Sequence, residues 1–265
     1  MPILTLTTDF GTKDGFAGTM KGVIWGICPE AQIADISHEI SPQNVLEGAF
    51  ALWRAYAFFP VGTIHVAVVD PGVGTSRRPI ATRLGGYTFV GPDNGLFTPM
   101  YEEAEKNQWV LEIIHLTNER YWLPDVSHTF HGRDIFAPVA AHLANGIPLA
   151  DMGPAITNPV RLTMPKPEKT ADGWHAHVTV VDIFGNCTTD LPAQEITGVE
   201  NVIFRLRGRE VHGLVASYGH KSLGDLVALV DSEKYIEIAI INGSAAKTLG
   251  AQVGDIVEVV CYELR

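Results

Sequence analysis

A carboxylate and two guanidinium groups lie close together in the segment VVDPGVGTSRR. Asp70 ends an apolar run, and Arg77 and Arg78 follow it across a glycine-rich turn. Aspartate before proline and glycine is common in turns, so Asp70 could serve the turn alone. If the turn folds back, an arginine meets Asp70, and the pair could take a proton and stabilise developing negative charge. The segment is therefore a candidate for chemistry as well as for a turn.

Other polar residues follow apolar runs in the same way. Asp9 stands in TTDFG, Asp93 and Asn94 stand in GPDNG, and His131 precedes a helical pattern in FHGRDIF. In a parallel α/β sheet, the carboxyl ends of the strands meet at one edge, where ligands bind. One such aspartate is usually explained by turn or capping chemistry. Three of them in succession favour a site at that edge.

Known sequence motifs help to decide between several kinds of chemistry. The residues that could supply mixed nitrogen and oxygen ligands to a metal are Asp9, Asp35, His38, Asp70 and His131. No HxH or HExxH spacing and no closely paired ligand set occurs at these strand ends. The chain also lacks GxSxG, a Walker GKS/T ending and a GxGxxG after its first strand, which argues against a serine hydrolase, a nucleoside-triphosphate site and a dinucleotide site.

The elements that must position these residues alternate between strand and helix. A Ser41 cap followed by Pro42 is expected to open the second helix. The run at 63–69 is nearly all apolar and β-branched, which is typical of a parallel strand buried on both faces. The predicted strands are 3–8, 32–37 and 63–69, and the predicted helices are 15–28, 43–59 and 132–146. This alternation predicts an α/β domain with a largely parallel sheet over residues 1–159.

The composition changes at residues 160–173, which contain prolines and lysines with little periodicity and are predicted to be a linker. Residues 174–265 then form a second domain. Its β-rich runs at 174–186, 201–208, 234–243 and 255–264 are separated by turn residues. They predict a small antiparallel β domain, either a sandwich or a barrel.

Charge and composition exclude several partners and compartments. The formal net charge is −11 and Arg77-Arg78 is the densest basic cluster, so no nucleic-acid partner is expected. Cys28, Cys187 and Cys261 are far apart, which favours buried thiols in a reducing compartment. The N-terminus lacks a basic signal-peptide region, and no apolar run approaches the ~20 residues that span a bilayer. We therefore expect a cytoplasmic protein with no membrane partner.

Seven motifs, read together and in order, resemble one family. The chain is similar to the S-adenosyl-L-methionine hydroxide adenosyltransferases, relatives of the bacterial fluorinase and chlorinase. The resemblance implies an N-terminal three-layer, Rossmann-like α/β domain and a C-terminal antiparallel β-barrel-like domain. It also implies a homotrimer with active sites at subunit interfaces. The motifs are LTTDFGTKDGFAGTMKG, DISHEISPQNVLEGAF, FFPVGTIHVAVVDPGVGTSRR, FVGPDNGLFT, FHGRDIFAPVAAHLANG, VVDIFGN and YIEIAIINGSAA.

The resemblance also implies an activity and a set of residues. The reaction is hydrolysis of S-adenosylmethionine to adenosine and L-methionine by attack of water or hydroxide at ribose C5′, with no metal and no cofactor. The implied catalytic residues are Asp70, Arg77 and His131. The implied substrate-binding residues are Asp9 for the ribose, and Asp182, Phe184, Asn186 and Ser232 in the second domain.

The chemistry agrees with these residue types. A sulfonium departs as a neutral thioether and needs no metal or general acid. Free hydroxide at neutral pH would cost roughly 12 kcal/mol, which favours Arg77 lowering the cost while Asp70 or His131 takes the proton. Which of the two is the base stays open in the sequence. Two alternatives remain: a non-catalytic protein that binds adenosine or S-adenosylmethionine, and a metal-dependent phosphoesterase built on the aspartates.

Overall fold

The chain folds into two compact units. A computed structural model describes residues 1–199 and 201–262. The first unit spans Met1–Thr163 and the second spans Met164–Arg265. The division falls inside segment 160–173. Within that segment, the Leu162 amide donates to Thr98 Oγ1 at 2.9 Å in the first unit, and Glu168–Lys169 pairs with a strand of the second.

The first unit is an α/β domain with one six-stranded sheet. The sheet order is β2-β1-β3-β5-β4-β6, in which only β4 runs antiparallel to the other strands. This confirms the predicted, largely parallel sheet. The elements are β1 Ile3–Thr8, α1 Phe16–Ile27, β2 Gln32–Ser37, α2 Val45–Tyr56, β3 Ile64–Val68, β4 Pro79–Leu84, β5 Tyr87–Pro92, α3 Thr98–Lys106, β6 Glu112–His115 and α4 Ala137–Ala144.

Two hydrophobic clusters cover the two faces of this sheet. The first joins α1 and α4 to one face, with Val66 and Val68 of β3 among its members. The second joins α2 and α3 to the other face and includes Ala67 and Val69. Successive β3 side chains therefore enter opposite cores, which explains why this strand is apolar at every position but one. The three-layer arrangement fixes β3 at the centre of the unit.

The prediction for the start of α2 was wrong. The helix begins at Val45, and Asn44 caps it by accepting a hydrogen bond from the Glu47 amide at 3.1 Å. Gln43, just before the cap, has a left-handed φ of 66° and donates its amide to Asp9 Oδ2 at 2.8 Å. Ser41-Pro42 therefore lies in a turn outside the helix, because the chain bends there to reach the loop after β1.

The second unit is a single antiparallel, barrel-like sheet with the order β11-β10-β14-β8-β9-β13-β12, and β7 pairs with β8. The long strand β8 pairs with β14 along its first half and with β9 along its second half. The sheet matches the predicted antiparallel β class. The elements are β7 Glu168–Lys169, β8 Gly173–Val181, β9 Cys187–Pro192, β10 Val202–Leu206, β11 Arg209–His212, β12 Leu226–Val230, β13 Tyr235–Ile240, α5 Ala245–Leu249 and β14 Ile256–Cys261.

The remaining predictions from composition concern thiols and membranes. Cys28 and Cys187 are buried, Cys261 is partly buried, and all three are free thiols. Across residues 1–199 and 201–262, no helix combines the length and the apolar character that crossing a bilayer requires.

A buried histidine in β3 makes the first unit sensitive to acid. His65 Nδ1 shares a hydrogen bond with Thr5 Oγ1 at 2.8 Å, and the imidazole stacks on Phe89 with ring centroids 5.1 Å apart. Burial lowers the pKa of His65 to about 3, so the folded protein resists protonation that the unfolded chain accepts near pH 6.5. Its contribution to stability is complete above pH 6.5 and is lost as the pH falls toward 3.

We predict that His65→Phe weakens this dependence. Between pH 6.5 and 4.5 the wild-type free energy of unfolding should fall by about 2.3 kcal/mol more than that of the variant. Loss of the Thr5 hydrogen bond adds a pH-independent cost of about 1 kcal/mol. Denaturant unfolding at several pH values measures both effects, with exposed His175→Phe as the control. Parallel curves for wild type and His65→Phe would contradict the prediction.

Candidate active site

Three aspartates follow neighbouring strands at one edge of the first sheet. β1, β3 and β5 are adjacent and parallel, and Asp9, Asp70 and Asp93 lie just beyond their carboxyl ends. The three carboxylates have different partners. These partners show which aspartates hold loops in place and which are available for chemistry.

Asp70 and Arg77 form a bidentate ion pair. Arg77 Nε donates to Asp70 Oδ1 at 3.0 Å, and Arg77 Nη2 donates to Asp70 Oδ2. Only 4% of the Asp70 side chain and 7% of the Arg77 side chain are exposed. Parallel bonds between a guanidinium fork and a carboxylate fix the plane of both groups. The pair is therefore a rigid, nearly dry unit at the end of β3.

The turn between the two residues is built to bring Arg77 back. Thr75 Oγ1 donates to the Gly72 carbonyl at 2.6 Å, and the Arg77 amide donates to Thr75 Oγ1 at 3.3 Å. Gly74 has a φ of +76°, and a Cβ there would lie 2.2 Å from the His128 carbonyl oxygen. The turn thus needs glycine both for its backbone conformation and for its packing against the loop that precedes His131.

His131 reaches the same guanidinium from a different loop. Its Nδ1 lies 3.1 Å from Arg77 Nη2. Because arginine only donates, Nδ1 must be the unprotonated nitrogen and the imidazole proton must lie on Nε2. Burial, and then the charge of Arg77, lower the pKa of His131 below its ordinary value, while Asp70 and Asp134 partly offset them. His131 is consequently neutral near pH 7 and presents Nε2–H as a donor.

One guanidinium nitrogen of Arg77 contacts neither Asp70 nor His131. Nη1 is buried and has no hydrogen-bond partner among the residues the structure describes. The guanidinium carbon lies 5.3 Å from the centre of the Phe136 ring, which covers one face of the group. A buried N–H without a partner costs about 1–3 kcal/mol, and an oxygen atom of a water or ligand would remove that cost. The site therefore has a donor in place for an oxygen.

The segment that follows His131 departs from the predicted helix at its start. Gly132–Phe136 forms a π-helical turn, and regular α4 begins only at Ala137. Such wide turns are frequent at functional sites, because they re-aim the adjacent side chain. The turn places His131 at the entrance of the helix, facing Arg77.

Arg78 and Asp93 form a separate, structural pair. Arg78 Nε donates to Asp93 Oδ2 at 2.8 Å, and its Nη1 donates to Asn158 Oδ1 at 3.1 Å. Asp93 Oδ1 also accepts from the Val160 amide at 2.8 Å. Asn94 Nδ2 donates to the Val69 carbonyl at 2.8 Å. Asp93, Asn94 and Arg78 thus hold the 158–160 segment and the end of β3 in place.

Asp9 is tied to the segment before α2. Its Oδ2 accepts the Gln43 amide, as described above, and Thr8 beside it shares a hydrogen bond with His38 Nδ1 at 2.8 Å. The loop after β1 is further fixed by the Gly11 amide, which donates to the His38 carbonyl at 2.7 Å. Asp9 is partly exposed. A carboxylate held in this way can accept hydrogen bonds from a ligand hydroxyl.

The implied binding residues of the second unit lie on two turns. Asp182 Oδ1 accepts the amides of Phe184 and Asn186 at 2.9 and 2.8 Å, and its Oδ2 accepts Asn186 Nδ2 at 2.9 Å. This closed turn between β8 and β9 presents the Phe184 side chain, which is 73% exposed. Ser232 lies on another turn, between β12 and β13, and is exposed.

Two residues beside this turn were missed in the sequence. Tyr218 Oη donates to Glu237 Oε1 at 2.6 Å, and Asn186 Nδ2 approaches Tyr218 Oη at 3.4 Å. Glu237 is buried, and that burial raises the pKa of its carboxyl despite the Tyr218 hydrogen bond. The available signal was the one carboxylate inside the apolar strand YIEIAI.

Several of the residues considered as metal ligands are instead bound to other side chains. Asp35 lies 2.6 Å from Lys21 Nζ and 3.0 Å from His38 Nε2, while Asp70 is committed to Arg77. Within residues 1–199 and 201–262, no group of three or more His, Cys, Asp or Glu side chains is arranged to hold a metal ion.

Two domain families and several known proteins are similar to this chain in sequence. The profile of the SAM hydroxide adenosyltransferase N-terminal domain matches residues 4–153, and that of the C-terminal domain matches residues 176–258. An (R)-S-adenosyl-L-methionine hydrolase from Salinispora tropica is 41% identical over 256 residues, which is 96% of each chain. A fluorinase from Actinoplanes is 31% identical over 217 residues, or 72% of each chain.

A solved structure agrees with the fold. The crystal structure of an uncharacterized conserved protein from Thermotoga maritima superimposes with a TM-score of 0.88 at 37% sequence identity. The alignment covers 97% of this chain and 99% of that one.

The contact between Gly74 and the His128 carbonyl is directly testable. Gly74→Ala would force a Cβ into a space of 2.2 Å and would place alanine at positive φ. We expect the free energy of unfolding to fall by more than about 2 kcal/mol. The control is Gly146→Ala, where φ is +86° but a Cβ meets nothing within 4 Å. Its cost should be about 1 kcal/mol. Equal losses in denaturant unfolding of the two variants would contradict the claim of close packing.

Proposed function

Because the chain belongs to the SAM hydroxide adenosyltransferase family, we propose that it hydrolyses S-adenosyl-L-methionine to adenosine and L-methionine. The observation that carries the proposal is the Asp70–Arg77–His131 cluster, with its buried ion pair and an unpaired donor at Arg77 Nη1. The (R)-S-adenosyl-L-methionine hydrolase names of several relatives support it. The enzyme is a hydrolase that uses water and needs no cofactor.

The reaction is a displacement at carbon. The oxygen of a water molecule forms a bond to ribose C5′. At the same time the bond between C5′ and sulfur breaks, and the electron pair of that bond stays on sulfur. The leaving group is the neutral thioether of methionine, so no acid or metal is required to expel it. One proton of the water must be taken up as the oxygen attacks. The protein therefore has to hold a water molecule in line with C5′ and accept that proton.

The cluster supplies both functions. The fixed positive charge of Arg77 stabilises the negative charge that develops on a water oxygen bound beside Asp70, as a preorganised group does in a dry site. Asp70 accepts the proton. Although both of its oxygens accept bonds from Arg77, each keeps a further lone pair. Proton transfer during attack avoids the cost of forming free hydroxide beforehand.

The geometry favours Asp70 over His131 as the base. The Nδ1 lone pair of His131 is engaged by Arg77, and its Nε2 carries the proton. In this tautomer the imidazole has no free lone pair with which to accept a proton from water. His131 instead orients the guanidinium and offers Nε2–H as a second donor. Protonation of Nδ1 at low pH would break the bond to Arg77 and place two positive charges side by side.

Substrate recognition completes the proposal. Asp9 accepts hydrogen bonds from the ribose hydroxyls, and Phe184 stacks on adenine through its exposed ring. Asp182, Asn186 and Ser232 hold the remaining polar groups of the substrate. The protein works as a cytoplasmic homotrimer in which the second unit of one subunit completes the site on the first unit of its neighbour.

Two adjacent arginines allow a matched test. Purified protein treated with EDTA should convert S-adenosylmethionine to adenosine and methionine at the untreated rate, measured by chromatography. Arg77→Lys loses the two parallel bonds to Asp70, and kcat should fall by about 100-fold or more. Arg78→Lys alters only the structural contacts with Asp93 and Asn158, so its kcat should stay near that of wild type.

Three outcomes would contradict the assignment. Tight binding without turnover would indicate a binding protein, and loss of activity on chelation would indicate a metal enzyme. An active Arg77→Lys with an inactive Arg78→Lys would mean that the wrong arginine has been assigned.

A further inference from the structure

A second carboxylate, fully buried, lies three residues after His131. The Asp134 side chain has 0% exposure, and four hydrogen bonds reach its two oxygens. Arg133 Nε donates to Oδ1 at 2.6 Å and Nη2 donates to Oδ2 at 3.2 Å. The Ser127 amide and Oγ both donate to Oδ2, at 2.8 and 2.7 Å. Burial opposes ionisation, yet the bonds from Arg133 and Ser127 hold the pKa of Asp134 below its ordinary value.

These bonds close the loop that leads into His131. Ser127 Oγ, itself bonded to Asp134, accepts the Phe130 amide at 3.0 Å. The Asp134 amide donates to the Phe130 carbonyl at 3.1 Å, and its carbonyl accepts the Leu123 amide at 2.9 Å. One residue thus ties together the beginning, the middle and the end of the segment 123–130. The position of His131, next in the chain, follows from that closure.

The same carboxylate also fixes the ring beside His131. Arg133 bonds to Asp134 and lies with its guanidinium carbon 5.3 Å from the centre of the Phe130 ring. Phe130 packs edge-on against Phe10 and Phe16, at 5.7 and 5.0 Å between centroids. The two neighbours of His131 in the chain are therefore Phe130, which is held in place, and Gly132, at which a Cβ would meet Met20 and Phe130 at 3.2 Å. His131 has little freedom to move its backbone.

We propose that Asp134 is a positioning residue for the reaction: its buried carboxylate locks loop 123–130 so that His131 Nδ1 faces Arg77 Nη2. This rests on the proposed function, in which His131 acts through Arg77. Asp134 does not touch the water or the substrate. In Asp134→Asn only one acceptor oxygen remains, so Arg133 and Ser127 cannot keep all four bonds and the loop relaxes. The imidazole then has no single orientation toward the guanidinium.

The groups that face His131 determine what a measurement would show. Burial and the charges of Arg77 and His128 lower the pKa of His131, whereas Asp70 and Asp134 raise it. Removal of the Asp134 charge should lower the pKa of His131 further and move the acidic limb of kcat to lower pH. Because that shift follows from charge alone, the discriminating readout is the imidazole tautomer, which a role in stability alone would leave unchanged.

The test compares Asp134→Asn with Asp125→Asn. Asp125 is an exposed residue of the same loop, so its variant makes the same charge change without loosening the closure. Imidazole nitrogen-15 spectra of the full-length protein report the tautomer and the pKa of His131, whether or not the protein is active. In wild type and Asp125→Asn we expect the Nε2–H tautomer to dominate. In Asp134→Asn we expect a mixture, a kcat about 10-fold or more below wild type, and a KM within about twofold.

Ser127→Ala keeps the experiment decisive if Asp134→Asn does not fold. It removes one of the two Ser127 donors and the acceptor for Phe130, and should shift the tautomer and kcat in the same direction by less. A wild-type tautomer and kcat in Asp134→Asn or, failing its folding, in Ser127→Ala would overturn the proposal. If wild type does not cleave S-adenosylmethionine, the proposed function fails, but the nitrogen-15 comparison still decides whether Asp134 positions His131.

Discussion

The buried bidentate bond between Arg77 and Asp70 is the interaction on which the site depends. Two opposite charges leave water together, and removing either one would strand the other at a cost of about 3–5 kcal/mol. The bond uses Nε and Nη2, which leaves Nη1, on the opposite side of the guanidinium, for another oxygen. It also sets the plane of the guanidinium, so His131 meets Nη2 in one tautomer. The positions of the donor, the proton acceptor and the supporting imidazole thus follow from one ion pair.

The surrounding fold holds this pair by close backbone packing. β3 lies inside the sheet and is buried on both faces, so Asp70 follows a strand that is packed on all sides. The turn that returns Arg77 packs through Gly74 against the His128 carbonyl, and the loop containing His128 is closed by Asp134. The ion pair and His131 therefore sit on two loops that support each other. A change in one loop is expected to reach the catalytic groups through the other.

Local patterns predicted much of this arrangement. Asp70 and Arg77 are seven residues apart across one turn, so their pairing could be anticipated, and the buried β3 strand was evident from its apolar run. The contact with His131 spans 54 residues and was expected only through the family resemblance. The structural role of Arg78 depends on Asn158, 80 residues away, and the Asn44 cap depends on the bend that carries Gln43 to Asp9. Such long-range partners leave no local periodicity.

The central claim is that a water held by Asp70 and stabilised by the charge of Arg77 attacks ribose C5′, and that sulfur leaves with the electron pair. Hydrolysis in oxygen-18 water, followed by mass spectrometry of both products, tests it most directly. The account predicts that the heavy oxygen appears in the 5′-hydroxyl of adenosine and is absent from methionine. Heavy oxygen in an amino-acid product, with the sulfur retained on the nucleoside, would place the attack on the other side of the sulfonium and contradict the account.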